Sequence, residues 1–198
     1  MPATRFAALA VAVVFITGQA SAQERSPMSD PTVTTYGDLS PRAPQELRVF
    51  SFLVGKWDGT GKTRLDNGTV AEYPVTWIGR YILDGTAIAD EAHAPAPDGR
   101  PVLGITFRQY DATSRTWIIE FLNVSGSFLR KQVNRGSGSV AVNGRSVTIT
   151  SASPNIDIRE HYLVADDGNT FVYRLDLSRD GGKSWNEGQV EMNFRRSN

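Results

Sequence analysis

Two histidines and one carboxylate are the residues with the plainest capacity for chemistry in this sequence. His93 adjoins a proline-rich stretch, His161 lies in a run of alternating residues, and Glu120 is flanked by apolar residues. Imidazole, and a carboxylate in apolar surroundings, can exchange protons near neutral pH, so His161 and Glu120 are weak candidates for acid–base catalysis. Strict alternation places Glu120 opposite Trp117 and Phe121, which favours a solvent-facing carboxylate. The sequence leaves open whether the protein is an enzyme.

Composition excludes several other kinds of site. The sequence has no cysteine, which excludes disulfides, zinc–thiolate sites, iron–sulfur clusters and thiol catalysis. Two widely separated histidines and no paired carboxylates indicate no metal site. No Ser-His-Asp arrangement, nucleophile elbow or phosphate-binding loop is recognisable. The 21 basic residues balance the 21 acidic residues, so we expect no nucleic-acid partner.

Aromatic residues supply the remaining candidate site. They recur at alternate positions within strand-like runs, where they share a face with aliphatic residues. An ordinary filled core explains this pattern, and so does an apolar cavity whose phenol and indole groups orient a ligand. In the second case, the predicted ligand-binding residues are Tyr73, Trp77, Trp117, Phe121 and Tyr173.

The elements that must position these residues are strands. After Gly55, runs rich in Val, Ile, Thr and aromatic residues alternate with Asn-Gly and Asp-Gly turn signals. This pattern predicts an all-β antiparallel meander of about ten strands. We expect the meander to close into a barrel, because closure removes exposed strand edges. A two-sheet sandwich is the alternative. The predicted strands lie near residues 55–65, 69–79, 81–90, 102–110, 115–123, 127–134, 138–142, 145–151, 156–165, 170–178 and 184–196.

The N-terminal part of the chain divides into three predicted segments. Residues 1–22 combine a basic start, an apolar run and Ala20-Ser21-Ala22, which is typical of a cleaved secretory signal peptide. The apolar run is shorter than the roughly 20 residues that span a membrane, so we expect no stable membrane insertion after cleavage. Residues 23–42 read as a flexible leader, and residues 43–198 as the barrel domain. One short helix is predicted from Ser40-Pro41 to Gly55.

The start of the first strand carries a recognisable motif. Gly55, Trp57 and Gly59 stand in a G-x-W-x-G-x-G pattern directly after the predicted helix. This resembles the opening of calycin barrels, which include the lipocalins, fatty-acid-binding proteins and the nitrobindin-like group. The resemblance implies a lipocalin-like fold in which Trp57 closes one end. It also implies an arginine over the indole, either Arg196 or Arg195, with alternation favouring Arg196.

A second motif lies near the C-terminus. Residues 178–185 read S-x-D-G-G-x-[ST]-W, and with the opening motif they resemble an uncharacterised family of small secreted bacterial proteins. Asp180 and Trp185 are expected to have structural roles in a self-contained hairpin. A nitrobindin-like haem site would need a histidine near the C-terminal strand, and none follows His161, so we expect no haem and no other cofactor.

Together, these patterns favour a periplasmic or secreted barrel that binds a small apolar molecule. One alternative is an isomerase or lyase that uses an interior His, Glu or Tyr on the same barrel. The other is a filled structural barrel without a ligand. An interior cavity would separate the last alternative from the first two.

Overall fold

The computed structural model describes residues 36–65, 67–95, 101–125, 133–136, 139–152 and 156–197. The predicted signal peptide and residues 23–35 of the predicted leader lie outside these described residues. Residues 36–42, also assigned to the leader from the sequence, contact the turn after the second strand. There the Ser40 amide donates to Gly85 O over 3.0 Å, and the Tyr81 amide donates to Tyr36 O over 2.8 Å.

Eleven antiparallel strands of the described chain form a single sheet, which confirms the predicted all-β meander. Among the described residues, each strand pairs with its neighbours in sequence except that β6 does not pair with β7, and β1 also pairs with β11. The two ends of the sheet, β6 and β7, are consecutive in the chain, so the sheet curls into a nearly closed barrel rather than a sandwich. The strands are β1 Gly55–Arg64, β2 Val70–Ile82, β3 Ala87–Pro95, β4 Pro101–Asp111, β5 Thr116–Ser125, β6 Val133–Gly136, β7 Ser139–Asn143, β8 Ser146–Ala152, β9 Asp157–Val164, β10 Thr170–Ser178 and β11 Asn186–Arg196.

The predicted helix is present, but its type and its start differ from the prediction. It is a 3-10 helix over Gln45–Leu53, and the residue before it, Pro44, makes no side-chain cap. Residues 41–43 instead form a turn, because the Ala43 amide donates to Ser40 O over 3.0 Å. The serine–proline pair therefore starts a turn rather than the helix.

The turn between β2 and β3 was also predicted at the wrong position from the sequence. The predicted break near residue 80 lies inside β2, which continues to Ile82. Ile82 pairs with Ala87, and within the four-residue loop between them Leu83, Asp84 and Gly85 all have positive φ, of 50°, 55° and 75°. A side chain at Gly85 would collide with Asp38 O, so glycine permits the close approach of residues 36–40. The missed signal was the Asp84-Gly85 pair.

The interior of the barrel has two halves. At one end, which we call the sealed half, side chains of the 3-10 helix pack with side chains of the strands. All of them are at most 3% exposed: Leu47, Phe50 and Leu53 from the helix, and Trp57, Phe171 and Phe194 from the strands. Towards the other end, which we call the open half, the inward-facing side chains are only half-buried: Tyr73, Ala92, Ile119, Phe121, Leu175, Val190 and Met192.

Candidate functional site

The opening motif builds the sealed half. Trp57 is fully buried, and the Arg196 guanidinium lies 4.0 Å from the centre of its indole ring. Arg196 Nη1 also donates to Val54 O over 2.9 Å, and burial lowers the pKa of the guanidinium. Gly55 has a φ of 128°, and a side chain there would collide with Arg196. Of the two terminal arginines, Arg196 covers the tryptophan, whereas Arg195 is exposed.

Gly59 allows β1 and β11 to approach each other closely at the same end of the barrel. It lies opposite Phe194 of β11, and an added side chain would collide with the carbonyl oxygen of Asn193. The glycine therefore lets β1 and β11 pair tightly where the barrel closes on itself.

The C-terminal motif forms a hairpin held by one carboxylate. Asp180 Oδ1 accepts the backbone N–H groups of Lys183 and Ser184 over 3.0 and 2.9 Å. Hydrogen bonds, led by the one from the Ser184 hydroxyl, lower the pKa of Asp180 to about 2. Trp185 lies beside this turn, and the Arg159 guanidinium is 4.3 Å from the centre of its ring. These contacts are all local to the hairpin and the neighbouring sheet surface.

The two candidate acid–base residues from the sequence both lie on the outside of the barrel. His161 is next to Tyr162 in β9, and neighbouring residues of a strand face opposite sides of the sheet. Because Tyr162 packs in the core, the His161 imidazole faces outward. Its Nε2 is 2.9 Å from Asp176 Oδ2 and its Nδ1 is 3.2 Å from Thr148 Oγ1. Glu120 alternates with the inward-facing Ile119, so it also lies on the outer face. Neither side chain therefore faces the interior, as alternation already favoured for Glu120, and a catalytic role for either residue stays a prediction.

Asp176 is the centre of a charged cluster on that outer face. Its side chain is fully buried, and it accepts hydrogen bonds from Arg159, His161 and the backbone N–H of Gly188. Burial opposes ionisation, but these hydrogen bonds and the charge of Arg174 outweigh it and lower the pKa of Asp176. Several donors thus converge on one carboxylate, while the buried Nε of Arg174 makes no hydrogen bond of its own among the described residues.

Sequence reasoning missed a polar group inside the barrel. Arg108 on β4 and Asp90 on β3 are 0% and 1% exposed, and Arg108 Nη1 forms an ion pair with Asp90 Oδ2. Arg108 Nη2 donates to the Tyr162 hydroxyl over 2.9 Å. Burial is the main cause that raises the pKa of Tyr162, which stays protonated.

A signal for this inward arginine was present in the turn before β5. The turn over residues 112–115 pairs Tyr110 with Trp117 and Arg108 with Ile119. Directly paired residues in antiparallel strands share a face. An inward Trp117 therefore requires inward Tyr110 and Arg108, and it turns Ile105, which is 36% exposed, outward.

Beside this group lies an interior carboxylate. Glu160 precedes His161 and faces inward, where its Oε1 accepts the Tyr173 hydroxyl over 2.8 Å. Burial first, and then the nearby charge of Glu160, raise the pKa of Tyr173. Glu160 is half-buried. Because its partner Tyr173 is buried, this carboxylate lies at the border between the two halves.

The five predicted ligand-binding residues divide between the two halves. Trp77 and Tyr173 are 5% and 6% exposed, and their rings lie 5.7 Å apart. Trp117 packs edge-on against Phe50 of the helix at 5.0 Å. Tyr73 and Phe121 alone among the five belong to the open half, where Tyr73 also hydrogen-bonds to Thr63. The five therefore differ in their exposure, and their role as one ligand-binding set stays a prediction.

A separate groove of about 560 Å³ lies on the barrel wall near the C-terminus. It runs over β1, β9, β10 and β11, and its lining includes Asp58, Thr60, Leu163 and Asn193. It is open to solvent and does not include the interior polar group.

The described residues contain neither a cluster of metal-ligating side chains nor a membrane-spanning helix. No group of three or more His, Cys, Asp or Glu side chains there is placed to hold a metal ion. Within the same residues, no helix has the length and apolar character needed to cross a membrane.

Among known proteins, similarity is found at the level of structure. No family model matches the sequence, and no curated protein matches it. The crystal structure of Rv2717c from M. tuberculosis is similar, with a TM-score of 0.53 and 16% sequence identity. The match covers 81% of this chain and 100% of that one. At this identity the likeness shows the barrel-like fold alone, and membership of the calycins stays a prediction.

Proposed function

We propose that this barrel binds a small, largely apolar molecule in its open half. One observation carries the proposal. Inward-facing side chains of the open half remain partly exposed although they lie on the inner face of the sheet, whereas the side chains named for the sealed half are at most 3% exposed. Exposed apolar side chains on a concave surface are typical of a ligand-binding pocket.

The border between the halves supplies the polar groups such a pocket needs. Arg108, Tyr162, Tyr173 and Glu160 lie there, and the indole N–H of Trp77 has no hydrogen-bond partner among the described residues. A buried donor without a partner costs free energy, and a ligand acceptor would recover it. An apolar wall with a few fixed polar groups at its base orients a bound molecule.

The test uses a neutral fluorescent probe, N-phenyl-1-naphthylamine, and two neighbouring substitutions. Ile119→Trp adds bulk on the inner face of the open half, whereas Ile118→Trp adds the same bulk on the outer face, where Ile118 is 39% exposed. We expect stoichiometric binding with a negative heat-capacity change, as burial of apolar surface requires. Ile119→Trp should weaken binding by about tenfold or more, the effect of losing about 1.4 kcal/mol.

The matched variant makes the result interpretable. Ile118→Trp should leave probe affinity unchanged, and both variants should retain a cooperative thermal melt. Equal affinity for the probe in the wild type and in a folded Ile119→Trp variant would contradict binding inside the barrel and favour the filled structural barrel.

We also propose that the protein is exported and acts in the periplasm or outside the cell. The support is the basic start, the apolar run and Ala20-Ser21-Ala22. N-terminal sequencing of the native protein should find Gln23 as the first residue. A soluble native protein that retains Met1 or Pro2 would contradict export by this route.

A further inference from the structure

The charges on the inner wall of the barrel are not all paired. Arg108 is neutralised by Asp90 and also hydrogen-bonded to Tyr162. Glu160, on the same wall, accepts a hydrogen bond from Tyr173 but forms no ion pair with any described residue. Among the described residues, Arg108 is thus already paired, and Glu160 has no counter-charge within ion-pair distance.

The position of Glu160 makes it available to a ligand. Tyr173 holds Oε1 in place, while Oε2 has no hydrogen-bond partner among the described residues. The side chain is half-buried, in contrast to Tyr162 and Tyr173, which are 0% and 6% exposed. A fixed carboxylate with one free oxygen is therefore presented towards the open half.

Two further aromatic rings lie next to Tyr173, the hydrogen-bond partner of Glu160. Tyr173 lies 5.2 Å from Tyr162 and 5.7 Å from Trp77, measured between ring centres. Aromatic faces attract ammonium groups, and clustered rings are a common means of recognising them. A carboxylate in partly apolar surroundings without a counter-charge also costs free energy, which a bound cation would offset.

We propose that the ligand of the open half is an apolar molecule that carries a protonated amine, with the ammonium group bound to Glu160. This rests on the proposed function and names its ligand class. The ammonium donates to the free oxygen of Glu160, and the apolar body lies against Phe121, Leu175 and Met192. A carboxylate ligand is disfavoured, because Glu160 repels it and Arg108 is already paired.

The experiment compares three molecules that differ only in their head group. Octylamine, octanol and octanoate each compete with N-phenyl-1-naphthylamine for the wild-type protein at neutral pH. We expect octylamine to bind about tenfold more tightly than octanol, as one charge-assisted hydrogen bond allows, and octanoate to bind most weakly.

Two matched variants locate the preference. Glu160→Gln keeps the shape and can still accept the Tyr173 hydroxyl, so it should fold and bind octanol normally while losing the preference for octylamine. Glu120→Gln makes the same change on the outer face and should keep the full preference. The melting temperature of each variant checks its folding.

The possible outcomes distinguish the amine assignment from the proposed binding of an apolar molecule in the open half. If octanol and octylamine bind equally, or if the preference survives in Glu160→Gln, the amine assignment is overturned while binding in the barrel stands. Failure of all three octyl compounds to displace a probe that still responds to Ile119→Trp also overturns it. If the probe itself is insensitive to Ile119→Trp, the proposed function fails first.

Discussion

The sealed and open halves of this barrel are built on the same strands but differ in how completely their inward-facing side chains are buried. In the sealed half, Phe50, Trp57 and Phe171 are at most 1% exposed, with Phe171 packed 4.8 Å from Trp57 between ring centres. In the open half, Phe121 and Met192 occupy equivalent inward positions yet stay half-exposed. One strand pattern thus yields a packed core where a helix covers it, and an accessible wall where no described element does.

The largest expected effect compares one phenylalanine from each half. Phe50→Ala removes a fully buried ring and should cost about 3–5 kcal/mol, which lowers Tm by about 10 °C or more. Phe121→Ala removes a half-exposed ring and should cost about 1 kcal/mol, while weakening probe binding. Thermal melts and probe titration measure both. Equal losses of stability would show that the open half is packed like the sealed one.

The next effect concerns the ion pair at the border. Arg108→Met alone leaves Asp90 buried without a partner and should cost about 3–5 kcal/mol in denaturant unfolding. Combining Arg108→Met with Asp90→Leu should recover most of that loss, because an apolar pair of similar volume avoids the desolvation of two charges. A double variant as unstable as the single one would mean that the hydrogen bond to Tyr162 dominates instead.

A paired and an unpaired carboxylate should differ in their effect on stability. Asp176→Asn breaks a buried carboxylate's bonds to Arg159 and His161 and should cost about 1–3 kcal/mol at pH 7. Glu160→Gln, where no ion pair is lost, should leave Tm nearly unchanged or raise it. A similar loss in both variants would argue that Glu160 is stabilised within the free protein.

The same carboxylate gives a pH dependence of defined sign. Because the pKa of Asp176 is lower in the folded protein than its ordinary value of 3.8, its contribution is complete above that value. It is lost as the pH falls through the lower folded pKa. Unfolding measured from pH 6 down to pH 2 should therefore show a steeper loss in the wild type than in Asp176→Asn.

The smallest effect should come from exposed ion pairs, one at each end of the barrel. Arg42 and Asp84 at the sealed end are 81% and 82% exposed, and Lys62 and Glu72 at the open end are 51% and 67% exposed. Arg42→Ala and Lys62→Ala should each change stability by less than about 1 kcal/mol. A large effect at one end only would show that surface charge contributes to the difference between the halves.

The local residues by themselves determined the strands, most of the turns and the structural motifs. Alternation and Asn-Gly or Asp-Gly turns depend on neighbours in sequence, so the meander was predicted with errors of a few residues, the largest at the turn over Leu83 and Asp84. Which face of a strand lies inside is different, because one residue of slip exchanges the faces. Arg108 and Asp90 were missed for that reason, and His161 was considered in place of its neighbour Glu160.

Only the tertiary structure decided what the interior contains. Arg108, Tyr162, Tyr173 and Glu160 come from β4, β9 and β10. They meet because β1 pairs with β11 and the sheet curls until its end strands β6 and β7 approach each other. No local pattern encodes the distance between strands so far apart in the chain. Burial then sets the chemistry of the two phenols, since desolvation raises the pKa of Tyr162 and of Tyr173 and keeps both protonated.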